Sequence, residues 1–238
     1  MDFVDSIHPD IIINTTAFHD TEGCENESKR AEEVNSIAVE KLASYCMEKE
    51  IILIHISTDW VFDGQSTSPY VESSIASAIN SYGKSKLSGE EAVRRIHELH
   101  YIVRISSVFG EMGVGGTKSN FVYSMLNLSR DNAEIRVVDD IIMSPTYTMD
   151  AARQIWSILI EGRDFGTYHV NNSGQCSWSE FAQAIMEYAG KKTRIIPISH
   201  LEYPTIATRP MFSAMGSEKG TLGRPWEEAL EEFLGLVC

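Results

Sequence analysis

Three β-branched runs, Ile11-Ile12-Ile13-Asn14, Ile51 to Ser57 and Tyr101-Ile102-Val103-Arg104-Ile105, punctuate the first hundred residues, and the segments between them are helical in pattern. Apolar strands without polar alternation are buried on both faces, which is the condition of a parallel sheet. Between the first two runs, Ala31, Val34, Ile37, Ala38, Leu42 and Ala43 recur at helical spacing, so Glu25 to Met47 reads as one long helix. Asn80 to Glu98 reads as another. Alternation of this kind implies right-handed crossovers and helices on both faces of the sheet, an α/β doubly wound architecture.

From Gly110 the texture changes. A helix is expected around Phe121 to Ser129, a strand at Glu134 to Val138, a helix at Met149 to Ile160 and a strand at Gly166 to Val170. Ser177 to Tyr188 reads as a capped helix, because Ser177 is followed three residues later by Glu180. A last helix, Trp226 to Leu234, follows Pro225.

With 238 residues and 43% hydrophobic content, the chain can bury one large core, or a larger and a smaller one. Its formal net charge of −14 argues against nucleic acid or an anionic membrane as partner, since the long-range field repels a polyanion. Cys24, Cys46, Cys176 and Cys238 show no Cys-x-x-Cys spacing and read as reduced thiols of a cytoplasmic protein. The longest apolar runs are too short to span a bilayer. The seven histidines form no metal-ligand spacing, and no Gly-x-Ser-x-Gly elbow is present. Trp156 and Trp178 lie on amphipathic segments and read as core.

The chemistry concentrates in Ser57-Thr58-Asp59-Trp60-Val61-Phe62-Asp63-Gly64 and Tyr82-Gly83-Lys84-Ser85-Lys86. The first segment puts small hydroxyls at the carboxyl end of a strand, where open α/β sheets bind ligands. In the second, Tyr82 and Lys86 are four apart and share a helix face. A bare Tyr-x-x-x-Lys is commonplace; a strand, Ser-Thr-Asp, a loop and then Tyr-x-x-x-Lys opening a helix is the order of the extended short-chain dehydrogenases. More closely, the chain resembles the dTDP-4-dehydrorhamnose reductases. The likeness runs through Pro9 to Phe18, Ala31 to Asn35, Ser57 to Gly64, Asn80 to Glu90, Val137 to Asp140, Ser144 to Tyr147 and Tyr203 to Pro210.

This resemblance implies a Rossmann-type sheet, with residues 1–109 as the remainder of a dinucleotide-binding domain and 110–238 as a smaller, mainly substrate-binding α/β part, some of whose segments return to the sheet. It implies NADPH or NADH as cofactor and a dTDP-linked 4-keto sugar as substrate, with a homodimer possible. Tyr82 would give a proton to the sugar's C4 oxygen as hydride arrives, and Lys86 would lower the phenol's pKa and bind the nicotinamide ribose. Thr58 would hydrogen-bond the same oxygen or the tyrosine. Thr16, Ala17, Phe18 and Ser57 would contact the cofactor, with threonines at 15 and 16 where alanines are usual. Asp59 is implied as a ligand of the sugar hydroxyls, against the alternative of a local cap. Arg209 is either a diphosphate or sugar contact or one half of a structural salt bridge. Ser107 stands where the family usually carries a tryptophan that packs on the sugar.

The family's Gly-x-x-Gly-x-x-Gly turn and the strand before it are not found ahead of Ile11, so the expectation is an N-terminally truncated sheet, an open sheet edge and weakened NADPH binding. Gly110, Gly113 and Gly116 imitate that turn, but Thr117 to Asn120 separate them from the next helix, and a substrate loop is expected there instead. Two other functions remain open at this point. One is a non-catalytic regulatory subunit, similar to the beta subunit of methionine adenosyltransferase; the other is an inactive truncated reductase.

Overall fold

The computed structural model describes residues 2–111 and 120–238. After a short helix α1 (Asp2–Ile7), strand β1 (Ile11–Asn14) leads through three helical pieces, α2 (Thr21–Asn26), α3 (Ser28–Glu32) and α4 (Ala38–Lys49), into β2 (Ile52–Thr58). Helix α5 (Ser81–Ile96) connects β2 to β3 (His100–Ile105). Beyond β3 come α6 (Phe121–Asp131), β4 (Glu134–Val138), α7 (Thr148–Ile160), β5 (Gly166–His169), α8 (Trp178–Tyr188), β6 (Arg194–Ile198) and α9 (Trp226–Val237).

The main sheet has the order β1-β2-β3-β5, and every pairing in it is parallel. Strand alternation decides which helix each side chain meets. Leu53 and Ile102 face Val39, Ala43, Cys46 and Val93 of α4 and α5. Their neighbours Ile54, Tyr101 and Val103 face Ala151 and Ile158 of α7. The sheet is therefore covered on both sides, as its apolar strands require. A second core joins α6, α8 and α9 to the parallel pair β4–β6, with Phe109, Tyr147, Phe181 and Phe233 at its centre. The capping box expected at the start of α8 is formed: Glu180 N–H donates to Ser177 Oγ, and Ser177 N–H donates to the Glu180 carboxylate.

A buried ionic network ties α5, β3 and β5 together. Glu90 of α5, fully buried, accepts two hydrogen bonds from Arg104 of β3, at 3.0 and 2.7 Å. Arg104 also lies 3.4 Å from His169 Nε2 of β5 and stacks 5.0 Å over Phe62. Burial alone would raise the Glu90 pKa, but the Arg104 bonds and charge, with Arg94, hold it at about 2. A buried carboxylate with two guanidinium groups around it is the arrangement in which such a charge is tolerated.

Two sequence expectations are corrected. The long helix from Glu25 to Met47 is broken at Glu27 and again by a π-helical segment, Glu33–Ile37. Within the π-helical segment Asn35 reaches back to the tip of β1 and across to α5: its amide accepts from Phe18 N–H at 2.8 Å and donates to Phe18 C=O and to Ser85 Oγ, each at 3.0 Å. Trp156 is not core; it is 60% exposed on the outer face of α7. The glycine-loop expectation rests on Gly113 and Gly116, which lie outside the described residues.

Candidate active site

Thr58 ends β2, and a single 3-10 turn, Asp59–Val61, follows it. Thr58 Oγ1 caps that turn by accepting from Trp60 N–H at 3.2 Å. The turn lies directly on the start of α5, where Gly83 lets the backbones approach: a Cβ there would stand 2.1 Å from the Trp60 carbonyl oxygen. Asn80 caps α5 by accepting from Gly83 N–H at 2.8 Å, and its amide donates to Thr208 C=O at 2.9 Å. Glu25 reaches the same helix end, accepting from Ser81 N–H and Oγ at 2.7 and 2.8 Å, where a carboxylate suits the helix dipole. These contacts bring the tip of β2, the first turn of α5 and the Thr208–Arg209 segment to one point at the carboxyl rim of the sheet.

The Tyr82 ring packs edge-on against Trp60 at 5.9 Å, and the Thr58 hydroxyl faces its phenol. Part of the tyrosine remains accessible, yet the crowding protein desolvates the phenol and pushes its pKa well above the ordinary value; Thr58 opposes this and Asp59 adds to it. The sequence-based expectation was a lowered phenol. The difference has a geometric reason: the Lys86 ammonium, buried one turn along the helix, donates to Ile56 C=O at 2.6 Å and lies 3.5 Å from His55 Nε2, so its nearest partners are on β2. Burial lowers the Lys86 pKa to about 8, and Glu90 opposes that shift.

Asp59, for which the resemblance implied a sugar-ligand role, sits behind Thr58. It is 2% exposed and its oxygens are already engaged, Oδ1 by Thr58 Oγ1 at 3.1 Å and Oδ2 by Ser106 Oγ at 3.0 Å. Burial pushes its pKa up to about 6, although bonds from Ser213, Ser106 and Thr58 pull the other way. Asp59 thus stands behind Thr58. Ser106 and Ser213 were not singled out in the sequence; Ser106 could have been, since it follows β3 at the same rim as Ser57 and Thr58, whereas nothing local marks Ser213.

The remaining expected residues surround this point. Thr16 is exposed at the tip of β1, and its N–H donates to Asn14 Oδ1 at 3.1 Å. Ala17 and Phe18 are half-buried, with Phe18 clamped by Asn35. Ser57 is buried on the α5 face of β2, one residue short of the rim. Ser107 follows β3 with φ of 43°, a left-handed conformation that a serine adopts only under constraint. Arg209 lies 3.6 Å from Glu22 and 5.8 Å over the Trp60 ring, and its Nε is buried without a partner.

Arg209 also belongs to the wall of a cleft of about 750 Å³ between the second core and the segments around Gly64 and Thr208. Phe121, Met125, Trp178 and Met211 give it an apolar lining, and Arg136 and Arg209 bring positive charge to it. Trp178, read as core from the sequence, packs edge-on against Phe121 at 4.7 Å and lines this cleft as well. Among the described residues, no group of three His, Cys, Asp or Glu side chains gathers in a metal-holding arrangement, and no helix is long and apolar enough to cross a membrane.

Residues 1–237 match the family model described as the RmlD substrate binding domain. The chain belongs to the dTDP-4-dehydrorhamnose reductase family. It is 41% identical to a spore coat polysaccharide biosynthesis protein, SpsK, of Bacillus subtilis, over 95% of this chain and 79% of that one. A dTDP-4-dehydrorhamnose reductase from Bacillus anthracis, solved in complex with NADP, superposes with a TM-score of 0.91 at 38% identity, covering 99% of this chain and 83% of that one. A reductase of the same name from Clostridium acetobutylicum superposes with a TM-score of 0.92 at 32% identity, covering 99% and 84%.

A nicotinamide cofactor, which membership of this reductase family implies, can be tested against the residues present. Lys86 is buried below the rim with its ammonium only partly engaged, and Thr15 and Thr16 are exposed at the neighbouring strand tip; these suit a ribose and its hydroxyls. The helix after β1 offers less to a pyrophosphate, because Asp20 caps its N-terminus and accepts from Gly23 N–H at 3.2 Å. The described residues fit the nicotinamide-ribose half of the cofactor.

Proposed function

We propose that this chain reduces the C4 carbonyl of a dTDP-linked 4-keto-6-deoxy sugar, converting dTDP-4-dehydrorhamnose to dTDP-rhamnose, with NADPH or NADH as reductant. The observation that carries the reading is the hydroxyl pair of Thr58 and Tyr82, held at the sheet rim above a buried lysine and beside an apolar cleft with two arginines.

Tyr82 is the proton donor. An ordinary phenol has a pKa of about 10, and the burial of Tyr82 pushes it higher, so the group holds its proton at neutral pH and can pass it to the C4 oxygen. When bound, NADPH or NADH supplies the hydride. Lys86, four residues on, provides the positive charge that offsets the phenolate left behind, and its free ammonium protons suit the ribose. Thr58 stands beside the phenol, its hydroxyl donating to Asp59 Oδ1 and accepting from Trp60 N–H. The cleft takes the nucleotide. Its apolar walls suit the thymine ring, and Arg209, with an unpartnered Nε, suits the diphosphate.

Mixing the purified chain with NADPH and dTDP-4-dehydrorhamnose while following the nicotinamide absorbance tests the proposal. Substrate-dependent loss of the reduced band, with dTDP-rhamnose recovered, is the expected result; a flat trace with both ligands saturating contradicts it.

A further inference from the structure

Behind Lys86 runs a polar chain that the reduction step leaves unused. Asn14, the last residue of β1, is paired in register with the fully buried His55 of β2. Thr16 N–H donates to Asn14 Oδ1 at 3.1 Å. A backbone N–H can only donate, so that atom is the amide oxygen, and the amide nitrogen is the one that faces His55 Nδ1 at 3.2 Å. Nδ1 therefore accepts. Burial, and after it the charge of Lys86, holds the His55 pKa down to about 3, so the ring is neutral and carries a single N–H. That proton must sit on Nε2, which lies 3.5 Å from Lys86 Nζ.

The consequence falls on the lysine. An ammonium at that place sets N–H against N–H, whereas an amine can give one proton to Ile56 C=O and accept the imidazole proton with its lone pair. We propose that His55 is a positioning residue for Lys86, turning an Nε2–H fixed by Asn14 toward the lysine nitrogen, so that this pocket weakens the lysine's hold on its third ammonium proton.

The other groups facing Lys86 do not supply this effect. Glu90, one turn along α5, favours the ammonium, and it is itself bound to Arg104 of β3 and to Arg94. Tyr82 lies on the same helix, and Cys24 of α2 faces the phenol. The π-helical segment contributes Asn35, a neutral amide bonded to Ser85. Lys86 nonetheless titrates at about 8, lowered first by burial. Because Thr16 belongs to the turn at the tip of β1, the chain from Thr16 through Asn14 and His55 links that turn to the proton count of the lysine. The inference deepens the reductase reading and rests on its assignment of Lys86.

Nitrogen NMR on the ligand-free chain with 15N-labelled histidine tests it, His55 being assigned by the signal lost in His55→Gln. The expected result is a neutral ring with a protonated Nε2 and a bare Nδ1 through the neutral pH range. A ring protonated on Nδ1, or on both nitrogens, overturns the proposal. Asn14→Asp supplies a second measurement, since a carboxylate accepts from both Thr16 N–H and Nδ1–H and so reverses the tautomer. The Lys86 titration, followed by its side-chain nitrogen, is then expected to rise by about one pH unit or more. A rise without tautomer reversal would be the new charge acting alone and overturns the proposal, as does no rise. If the variant does not fold, the wild-type tautomer decides. Neither readout needs turnover, so failure here is separate from failure of the reductase assay.

Discussion

Asp59 and Arg209 show how a residue's surroundings, more than its type, decide what it does. Asp59 has its carboxylate spent on Thr58 and Ser106, and burial raises its pKa to about 6. A carboxyl raised above its unfolded value of about 3.9 binds more protons folded than unfolded between the two values. Stability therefore falls as pH rises through that window and stays lower above it, by about 2–3 kcal/mol from this group alone. Asp59→Asn is expected to flatten that part of the profile and to melt no lower than the wild type at pH above about 7; thermal melts with equal slopes in both proteins would contradict this. Arg209 lines the cleft and holds Glu22 only loosely, at 3.6 Å. Arg209→Lys keeps the charge and loses the planar fork, so KM for the nucleotide sugar is expected to rise about tenfold with little change in kcat. An unchanged KM would leave Arg209 as a structural partner of Glu22.

Helix α5 carries the site because two glycines let it come close to its neighbours. Glycine inside a helix costs about 1 kcal/mol relative to alanine, and here that cost is set against contact: a Cβ at Gly89 would stand 2.2 Å from the Asn35 carbonyl oxygen. Gly89→Ala, a substitution that raises helix propensity, is expected to lower stability by about 2 kcal/mol, measured by urea unfolding; a gain would mean that the helix can move away freely. The strands β1, β2 and β3 and the helices α5 and α8 were legible in the sequence because each is decided locally, by apolar runs, by helical spacing or by the Ser177–Glu180 box. The break before α4 was not legible, since Asn35 within it is tied to Phe18 and Ser85, partners 17 and 50 residues away that no local pattern discloses. The same holds for Ser213, which meets Asp59 across the fold from a distant segment.

At the scale of the whole molecule, the sheet fixes Thr58 at its rim, the Glu90–Arg104–His169 network locks α5 onto β3 and β5 of that sheet, and the second core raises one wall of the cleft. The sequence marked Tyr82, Lys86 and Thr58 as candidates because their order along the chain follows the order of strand and helix. It did not disclose that the lysine would turn to β2, or that burial would outweigh it at the phenol, since both depend on His55 and Ile56 lying beneath α5. What everything else depends on is that Tyr82 delivers the proton as hydride is transferred. Single-turnover oxidation of NADPH by dTDP-4-dehydrorhamnose, compared between the wild type and Tyr82→Phe at matched cofactor occupancy, tests it most directly. The account predicts that the variant slows the chemical step by about 10²–10⁴-fold with substrate affinity nearly unchanged, while an unaltered rate would contradict it.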